Sequence, residues 1–387
     1  MTTVLDTLPD LELAGAGATS REIAQQPDLW RDVAEIVAGR RADVDAFLTP
    51  LLAQPRLRVV LTGAGTSAFA GQVLAPALSR QLGRVVEAVP TTDLVSAPRE
   101  SFPVDVPTLL VSFARSGDSP ESVAATRLAE QCLTEVHHLV VTCNADGRLA
   151  RDHTGAPRSL VLQMPAASND RGFAMTSSFT CMVLGTALAL GGDLPGDGVD
   201  RLVAAGRAVV AEAGPVVDAL AATRPRSVVY LGSGSLKGLA EESALKLLEL
   251  TTGAITVTAD SPLAFRHGPK AVLDDATVVV VYLSTDRYTR AYDLDLVREL
   301  RAQLGAGQVY VVDGDAEADP ALGDGPRIAV PGLAGLGDVV LAVAAAPVPQ
   351  LMGLASSLAI GRTPDNPFPD GEVNRVVQGV TVHPLAD

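Results

Sequence analysis

Short apolar runs alternate with longer segments of helical periodicity along most of the chain. The runs at 58–61, 109–111 and 138–143 are rich in valine and leucine, which is typical of buried strands in parallel sheets. Helical stretches of small and apolar residues follow the first two of these runs. Because strands that alternate with helices pack as a parallel sheet between helical layers, the pattern predicts an α/β fold.

The same order of elements occurs twice. Residues 59–71 (VVLTGAGTSAFAG) and 228–240 (VVYLGSGSLKGLA) each predict a strand, a Gly-x-Gly turn with hydroxyl residues and the start of a helix. Further on, the runs at 276–283 and 307–312 parallel the second and third runs of the first half. The repetition predicts two tandem doubly wound parallel-sheet units followed by a C-terminal tail.

Turn residues suggest how the chain divides. The clearest break is GGDLPGDG at 191–198. We expect an N-terminal arm and helix over residues 1–45, a first unit over 46–195, a second unit over 200–346, and a C-terminal helix with a covering tail over 347–387. Residues 1–20 are expected to be a loose arm, and residues 376–382 a short strand-like run.

One uncharged stretch, residues 339–361, is long enough to cross a bilayer. Pro347 and Pro349 interrupt it, and much of the remainder is alanine and glycine. Two buried helix segments that meet at the prolines are the better interpretation. The first fifteen residues lack the basic and apolar regions of a signal peptide, so we expect no membrane segment.

Composition and charge exclude several classes of partner. The 387 residues are 47% hydrophobic, which is ample for a large core, and the net charge of −15 argues against nucleic-acid or anionic-membrane binding. A local nest of backbone N–H groups can still bind a small anion. The three cysteines form neither a disulfide framework nor a zinc pattern, which predicts a reducing cytoplasm. We expect no metal and no cofactor.

The stretch 109–122, LLVSFARSGDSPES, is the best candidate for ligand binding. Ser119 is a suitable N-cap and Pro120 a suitable first helical residue, so a strand runs through a small-residue loop into a helix. Such a turn leaves backbone N–H groups open for an anion, and Ser112 and Ser116 add hydroxyl groups. The sequence therefore predicts a phosphate-binding loop. The second unit lacks these serines and must contribute something else.

Charged residues after the second glycine-rich turn are candidates for that contribution. Glu242, Lys246 and Glu249 share one helical face, and from composition alone a solvated Glu–Lys stripe is the simpler interpretation. His267 stands in a polar loop, Arg-His-Gly-Pro-Lys, where an imidazole is suited to proton transfer. His137 and His138 precede a strand, and we expect them at the surface.

Three segments carry a family resemblance: VSFARSGDSPESVAA at 111–125, DRGFAMTSS at 170–178 and DNPFPDGEVNRVVQGVT at 365–381. With the two glycine-rich turns, they resemble double sugar-isomerase (SIS) domain proteins, whose units are flavodoxin-like. The chain is similar to the isomerase half of glucosamine-6-phosphate synthase. More closely it resembles the AgaS family of galactosamine-6-phosphate deaminase/isomerases, also described as tagatose-6-phosphate aldose/ketose isomerases.

The resemblance implies a role for each matching residue. Glu249 would be the base at C2, Lys246 a second catalytic group, and His267 the ring-opening acid–base group, contributed by the neighbouring subunit of a homodimer. Substrate and phosphate contacts would come from Gly65, Thr66, Ser67, Arg115, Ser116, Gly117, Ser119, Thr176, Ser177, Glu242 and Gln378. The resemblance thereby favours a functional role for the charged stripe over a solvated one.

The resemblance also implies a reaction. We expect a deaminating aldose–ketose isomerase that converts an aldohexosamine 6-phosphate, galactosamine 6-phosphate first, into tagatose 6-phosphate and ammonia. The chain has no glutaminase domain, and Gln378 stands where the synthase has a lysine, so synthesis from glutamine is not expected. The alternatives are a sugar-phosphate isomerase that releases no ammonia and a non-catalytic SIS sensor. The acidic first 50 residues lack a DNA-binding pattern, which disfavours the sensor.

Overall fold

The computed structural model of the protein describes residues 8–315, 317 and 319–386. Its strands are β1 (Arg58–Thr62), β2 (Val86–Ala88), β3 (Thr108–Ala114), β4 (Val136–Thr142), β5 (Ser159–Gln163), β6 (Ser227–Leu231), β7 (Thr256–Asp260), β8 (Thr277–Leu283), β9 (Val309–Asp313) and β10 (Arg327–Ala329). All pair in parallel within two separate five-stranded sheets. The predicted α/β class is confirmed.

Helices occupy most of the chain between the strands. They are α1 (Leu8–Leu13), α2 (Gly17–Ala24), α3 (Gln26–Gly39), α4 (Arg41–Leu52), α5 (Thr66–Leu82), α6 (Thr91–Ser96), α7 (Pro98–Ser101), α8 (Pro120–Cys132), α9 (Arg148–His153), α10 (Ser177–Gly191), α11 (Gly198–Glu212), α12 (Gly214–Thr223), α13 (Ser235–Leu250), α14 (Pro262–Phe265), α15 (Arg287–Leu304), α16 (Gly337–Ala345) and α17 (Pro347–Ala359). Short 3₁₀ turns supplement them.

The described residues form two compact units. The first unit comprises residues 29–169, 177–193 and 370–386, and its sheet has the order β2–β1–β3–β4–β5. The second unit comprises the described residues of 8–28, 170–176 and 194–369, and its sheet has the order β7–β6–β8–β9–β10. Counted within each unit, both orders are 2-1-3-4-5. In such a sheet, ligands bind at the carboxyl ends of the central strands, where the order reverses.

Each sheet has its own apolar core. In the first unit, β3 is buried throughout, and Leu110 packs in a cluster with Leu128 of α8. In the second unit, β8 is buried throughout, and Val281 packs in a cluster with Leu296 of α15. Strands buried on both faces explain why the sequence showed continuous apolar runs rather than alternation.

The division along the chain differs from the expected one, because each unit is assembled from separated segments. Most of α3 lies in the first unit, where Trp30 Nε1 donates a hydrogen bond to Thr180 Oγ1 of α10 at 2.9 Å. The expected C-terminal helix, α17, lies in the second unit. Packing of amphipathic helices on distant segments, rather than the glycine-rich break alone, decides the division.

The expected loose arm is wrong for the part that the structure describes. Residues 8–20 contain α1 and the start of α2, while residues 1–7 lie outside the described residues. The N-terminus of α2 is capped from far away: Asp365 accepts hydrogen bonds from Ala18 N at 2.9 Å and Thr19 N at 2.7 Å. This cap is 346 residues distant, so the sequence near the start of α2 does not reveal it.

The segment Gly337–Ala359 is the candidate membrane span that composition identifies among the described residues, yet 94% of its most apolar window is buried in the protein. The chain forms α16 and α17 there, and α17 begins at Pro347. The prediction of two buried helix segments meeting at the prolines is confirmed.

The described residues of the C-terminal tail form no strand, so the strand-like run expected at 376–382 is wrong. Its valines alternate as in a strand, but Gly379 has a φ of +76° and the backbone of residues 376–386 forms no hydrogen bond with another backbone segment. Residues 382–385 instead line a cavity of about 450 Å³ against one face of α8. Without a neighbouring strand, the backbone cannot form a hydrogen-bonded ladder, even where the side chains favour β structure.

His138 is another correction, because it is buried in β4 rather than exposed. Its ring lies 4.6 Å from that of His153, and its Nε2 atom is 3.4 Å from a carboxylate oxygen of Glu130. Burial, and secondarily the neighbouring histidines, lower the pKa of His138 to about 3. The imidazole is therefore neutral in the folded protein at neutral pH.

Candidate functional site

The predicted phosphate-binding loop has the expected local structure. β3 ends at Ala114 and α8 begins at Pro120, so residues 115–119 join a strand to a helix. Ser119 is the N-cap: its Oγ accepts a hydrogen bond from Ser122 N at 3.3 Å and lies 2.6 Å from Ser122 Oγ. The positive end of a 13-residue helix therefore stands behind the serines, as an anion site requires.

The turn between β4 and α9 braces this loop from one side. Asn144 Nδ2 donates to the carbonyl oxygen of Ser116 at 2.9 Å, and Leu149 N donates to that of Gly117 at the same distance. Gly117 has a φ of +71°, which favours glycine. A Cβ at Gly147 would lie 2.2 Å from the Ser116 oxygen, so this close approach also requires glycine. The loop is held by its own carbonyls.

The side chains around the loop have distinct roles. Arg115 is buried, and its Nη2 donates to the carbonyl oxygen of Arg375 in the tail at 2.6 Å. Asp118 accepts a hydrogen bond from Arg148 N at 2.9 Å. Ser112 lies buried within β3, so the hydroxyl groups of the loop itself are those of Ser116 and Ser119.

The two glycine-rich turns have the same backbone geometry. Gly65 and Gly234 each stand directly before a helix, and each has a φ of +55°. A Cβ at Gly63 would lie 2.5 Å from backbone atoms of Ser67, which explains the need for the first glycine of the pair. Thr66 and Ser67, the predicted substrate contacts, begin α5 and are buried.

The charged stripe on α13 is a buried ion-pair network rather than a solvated face. Lys246 Nζ lies 2.7 Å from Glu249 Oε2 and 3.5 Å from Glu242 Oε1. The side chains of Lys246 and Glu242 are each 1% exposed, whereas that of Glu249 is 25% exposed. Burial of charges is costly unless they are paired. The grouping therefore supports the functional interpretation, with Glu249 as the member that solvent or a ligand can reach.

His267 is not joined to that network by any hydrogen bond or ion pair within the described residues. It follows α14 in an exposed turn of the second unit. The cations on either side, Arg266 and Lys270, both form ion pairs with Glu299 of α15. These pairs hold the loop and leave the imidazole at the protein surface.

The remaining predicted contacts lie in different surroundings. Thr176 is buried, and both its backbone N–H and its hydroxyl donate to Asp170, at 2.8 Å and 3.1 Å. Ser177 is the buried first residue of α10. Gln378 is exposed in the tail.

A cluster of acids that the sequence did not indicate surrounds the 170–176 segment. Glu22 of α2 is buried and accepts hydrogen bonds from Arg171 N at 2.5 Å and Gly172 N at 3.1 Å. Burial raises the pKa of Glu22 to about 7, with a further contribution from the nearby charges of Asp170 and Asp365. The acids lie almost 350 positions apart in the sequence, so no spacing motif could have found them.

Two parallel sheets of the same strand order, with a serine loop on one and glycine-rich turns on both, define a sugar-isomerase protein. A family model described as "SIS domain" matches residues 51–190. An AgaS protein of Streptomyces coelicolor is 59% identical over 389 residues, covering 100% of both chains. The D-galactosamine-6-phosphate deaminase AgaS of Escherichia coli is 45% identical over 373 residues, covering 95% of each. The chain belongs to the AgaS family of SIS-domain proteins.

A solved structure agrees with this assignment. The tagatose-6-phosphate ketose/aldose isomerase of Escherichia coli superposes with a TM-score of 0.87 at 39% identity, covering 96% of this chain and 99% of that one. The resemblance drawn from the three sequence segments is confirmed.

Proposed function

We propose that the protein is a deaminating isomerase that converts an aldohexosamine 6-phosphate, D-galactosamine 6-phosphate first, into tagatose 6-phosphate and ammonia. The names of the AgaS relatives support this substrate. The observation that carries the proposal is the placement of Lys246 between two carboxylates on α13, one of which is partly open to solvent. An acid beside a fixed ammonium suits proton transfer at a carbon next to a carbonyl.

The steps follow from the substrate's chemistry. His267 transfers the proton that opens the ring and forms the aldehyde at C1. Glu249 removes the proton from C2 to form an enolamine and then returns a proton to C1. Lys246 stabilises the negative charge that develops on the C1 oxygen. This oxygen then takes up a proton and the C2 nitrogen releases one, which gives a C1 hydroxyl group and a C2 imine. Water then adds to the resulting C2 imine, and its collapse leaves the ketone oxygen at C2 and releases ammonia.

Phosphate binding falls to the loop of the first unit. Ser116 and Ser119 would donate hydroxyl hydrogen bonds at the N-terminus of α8, with Arg115 and Gly117 shaping the loop between strand and helix. Gly65, Thr66, Ser67, Thr176, Ser177, Glu242 and Gln378 would contact or orient the sugar. Binding energy from the remote phosphate helps to orient the reacting carbons.

The first experiment measures ammonia and ketose release from galactosamine 6-phosphate by the wild type and by Glu249→Gln. We expect both products in equal amounts from the wild type and neither from the variant. Full turnover by Glu249→Gln would exclude the proposed base. A wild type that releases neither product from any hexose or hexosamine 6-phosphate would favour a sensor.

A second candidate is simple aldose–ketose isomerisation of a sugar phosphate that carries no amino group. The name of the solved Escherichia coli isomerase supports it, and the same residues would transfer the same protons. Release of ketose from an unaminated aldose 6-phosphate, with no ammonia formed from the amino sugar, would favour this candidate.

The exposed position of His267 supports a homodimer in which each His267 loop serves the neighbouring subunit. Mixing Glu249→Gln with His267→Ala under conditions that exchange subunits tests this arrangement. Half of the dimers would then be mixed, each with one intact site, so activity should return to about a quarter of the wild-type value. Two inactive variants that stay inactive after mixing would place both residues in the same chain's site.

The proposed chemistry needs only proton transfers and water, so we expect no cofactor and no metal, and activity that persists in a chelator. We also expect a cytoplasmic location, where the glycolytic and amino-sugar phosphates are found and thiols stay reduced.

A further inference from the structure

The segments DRGFAMTSS and DNPFPDG carry the family resemblance, but the proposed chemistry uses little of them. In the second unit, residues from both contact α2. Phe173 N donates to the carbonyl oxygen of Asp365 at 3.1 Å, and the rings of Phe173 and Phe368 lie 5.2 Å apart. We call the assembly of Thr19, Glu22, Asp170, Gly172 and Asp365 the carboxylate clasp.

Each acid of the clasp accepts hydrogen bonds from backbone N–H groups. Glu22 accepts from the N–H groups of residues 171 and 172, and Asp170 accepts from the N–H and hydroxyl of Thr176. Asp365 accepts from the N-terminus of α2 and from the hydroxyl of Thr19 at 2.7 Å. The N–H groups of the 170–176 segment at residues 171, 172 and 176 are thus fixed by carboxylates.

Holding a segment with buried carboxylates costs more free energy than holding it by apolar packing. Each buried carboxylate loses hydration, and like charges placed together repel, so an apolar contact would hold a loop at lower cost. Carboxylates do, however, fix N–H groups in direction as well as position, because charge-assisted hydrogen bonds are short and directional. A segment that must present one particular residue accurately benefits from this.

We propose that Glu22 is a positioning residue, which with Asp170 and Asp365 fixes the 170–176 segment. The Thr176 hydroxyl group, whose proton is donated to Asp170, is thereby placed to accept a hydrogen bond from the sugar of the substrate. Glu22 does not touch the substrate and acts through the segment that it holds. The inference rests on the proposed function only in taking Thr176 as a substrate contact.

Close packing provides a way to disturb the clasp without removing an acid. A Cβ at Gly172 would lie 2.9 Å from Thr19 Oγ1 and 3.0 Å from Glu22 Oε2. Gly172 has no positive φ, so alanine suits its backbone and Gly172→Ala would act by pushing the segment away from Glu22. Glu12, an exposed acid of the same unit, supplies the matched control variant Glu12→Gln.

The experiment compares wild type, Glu22→Gln, Glu22→Ala, Gly172→Ala and Glu12→Gln. We expect KM for galactosamine 6-phosphate to rise roughly tenfold in Glu22→Ala and Gly172→Ala, the equivalent of one lost hydrogen bond, with kcat nearly unchanged. Glu12→Gln should match the wild type. The dissociation constant for tagatose 6-phosphate, measured by calorimetry, should shift in parallel, and it needs no turnover.

The pH profile separates positioning from a merely structural role. The charged groups that face Glu22 include the carboxylates of Asp170 and Asp365. As pH falls through about 7, Glu22 takes up a proton and holds the N–H groups less strongly, so KM and the dissociation constant should rise in the wild type. Glu22→Gln keeps an acceptor that does not titrate and should remove this inflection while retaining most of the affinity.

Two outcomes would overturn the proposal. Variants that melt at lower temperature but keep the wild-type KM, dissociation constant and pH profile would show that the clasp only stabilises the fold. An inflection near pH 7 that persists in Glu22→Gln would assign it to another group. If the wild type binds tagatose 6-phosphate but releases no ammonia, the proposed deamination fails while the binding comparison still decides the role of Glu22. Should Glu22→Ala not fold, Gly172→Ala and Glu22→Gln carry the test.

Discussion

The two units have the same strand order but differ at the loop that follows their third strand. In the first unit, the loop after β3 is braced through its carbonyls, and its serines lie at the start of α8. In the second unit, the loop after β8 is closed by Asp338, which accepts hydrogen bonds from Ser284 Oγ at 2.6 Å and from Thr285 N at 2.7 Å. The hydroxyl groups of Ser284 and Thr285 already donate hydrogen bonds to Asp338.

The helices that follow the glycine-rich turns also differ, because the helix of the second unit carries the charged network. In the first unit, α5 carries Arg80 as its one charged residue. In the second unit, α13 carries the buried network of Glu242, Lys246 and Glu249. One topology thus carries two different arrangements: a serine loop at a helix N-terminus in one unit, and a buried ion-pair network with a closed loop in the other. The difference between the two units lies in their side chains and not in their strand order.

The largest effect should come from the ion-pair network on α13. Lys246→Met removes the ammonium between two carboxylates, so we expect kcat to fall by roughly 10²–10³-fold, as when one electrostatic stabiliser is lost. Single-turnover kinetics would measure it. Lys237→Met, on the same helix but with a side chain 46% exposed, is the control and should retain activity. Equal losses in both variants would contradict a special role for Lys246.

The next effect concerns the phosphate-binding loop. Ser116→Ala removes a hydroxyl group from the proposed anion site but no proposed catalytic group, so KM should rise by about tenfold and much more than kcat falls. Steady-state kinetics would show this split. A variant whose kcat falls while KM is unchanged would mean that the loop takes part in the chemical step rather than in binding.

The closed loop of the second unit should respond in stability instead. Asp338→Asn weakens three hydrogen bonds, to Ser284 Oγ, Thr285 N and Thr285 Oγ1, and should lower the free energy of unfolding by about 1–3 kcal/mol. KM should stay at the wild-type value. Denaturant titration and kinetics on the same protein would check both. A large KM change would show that this loop also binds substrate.

The smallest effect is an opposite response of the two units to pH. The pKa of Glu22, in the second unit, is raised to about 7, so the folded unit binds the extra proton and loses stability as pH rises from about 4.5 to 7. The pKa of His138, in the first unit, is lowered to about 3, so that unit loses stability as pH falls from about 6.5 towards 3.

The aromatic residues allow both responses to be measured in one sample. The single tryptophan, Trp30, lies in the first unit, and all five tyrosines lie in the second. The unfolding midpoint followed by tryptophan fluorescence and the midpoint followed by tyrosine absorbance should therefore shift in opposite directions with pH. Glu22→Gln should flatten only the tyrosine signal, and a change in both would mean that the units unfold together.

Local signals predicted much of this molecule. The repeated apolar runs predict two parallel-sheet units, and the N-cap Ser119 with Pro120 is predictable because helix starts have a local chemistry. The network on α13 could be placed on one face from its spacing, but its burial could not. A Glu–Lys–Glu stripe looks the same in sequence whether water or protein covers it.

Other features were beyond sequence reasoning for physical reasons. Asp365 caps α2 across almost the whole chain, so the expected loose arm was wrong. His138 was expected at the surface because it was placed before the strand, yet β4 begins at Val136 and buries it. The tail has the alternating valines of a strand but no strand to pair with. In each case a distant partner, or its absence, decided the structure.

The grip of Arg115 on the tail has a practical consequence. Trypsin cuts after arginine in exposed chain without regular hydrogen bonding, and Arg375 lies in such a segment. The peptide bond at risk is the one whose carbonyl oxygen Arg115 holds at 2.6 Å. The rate of tryptic cleavage at this bond therefore reports how often the tail leaves Arg115. Gel electrophoresis measures this rate without any substrate.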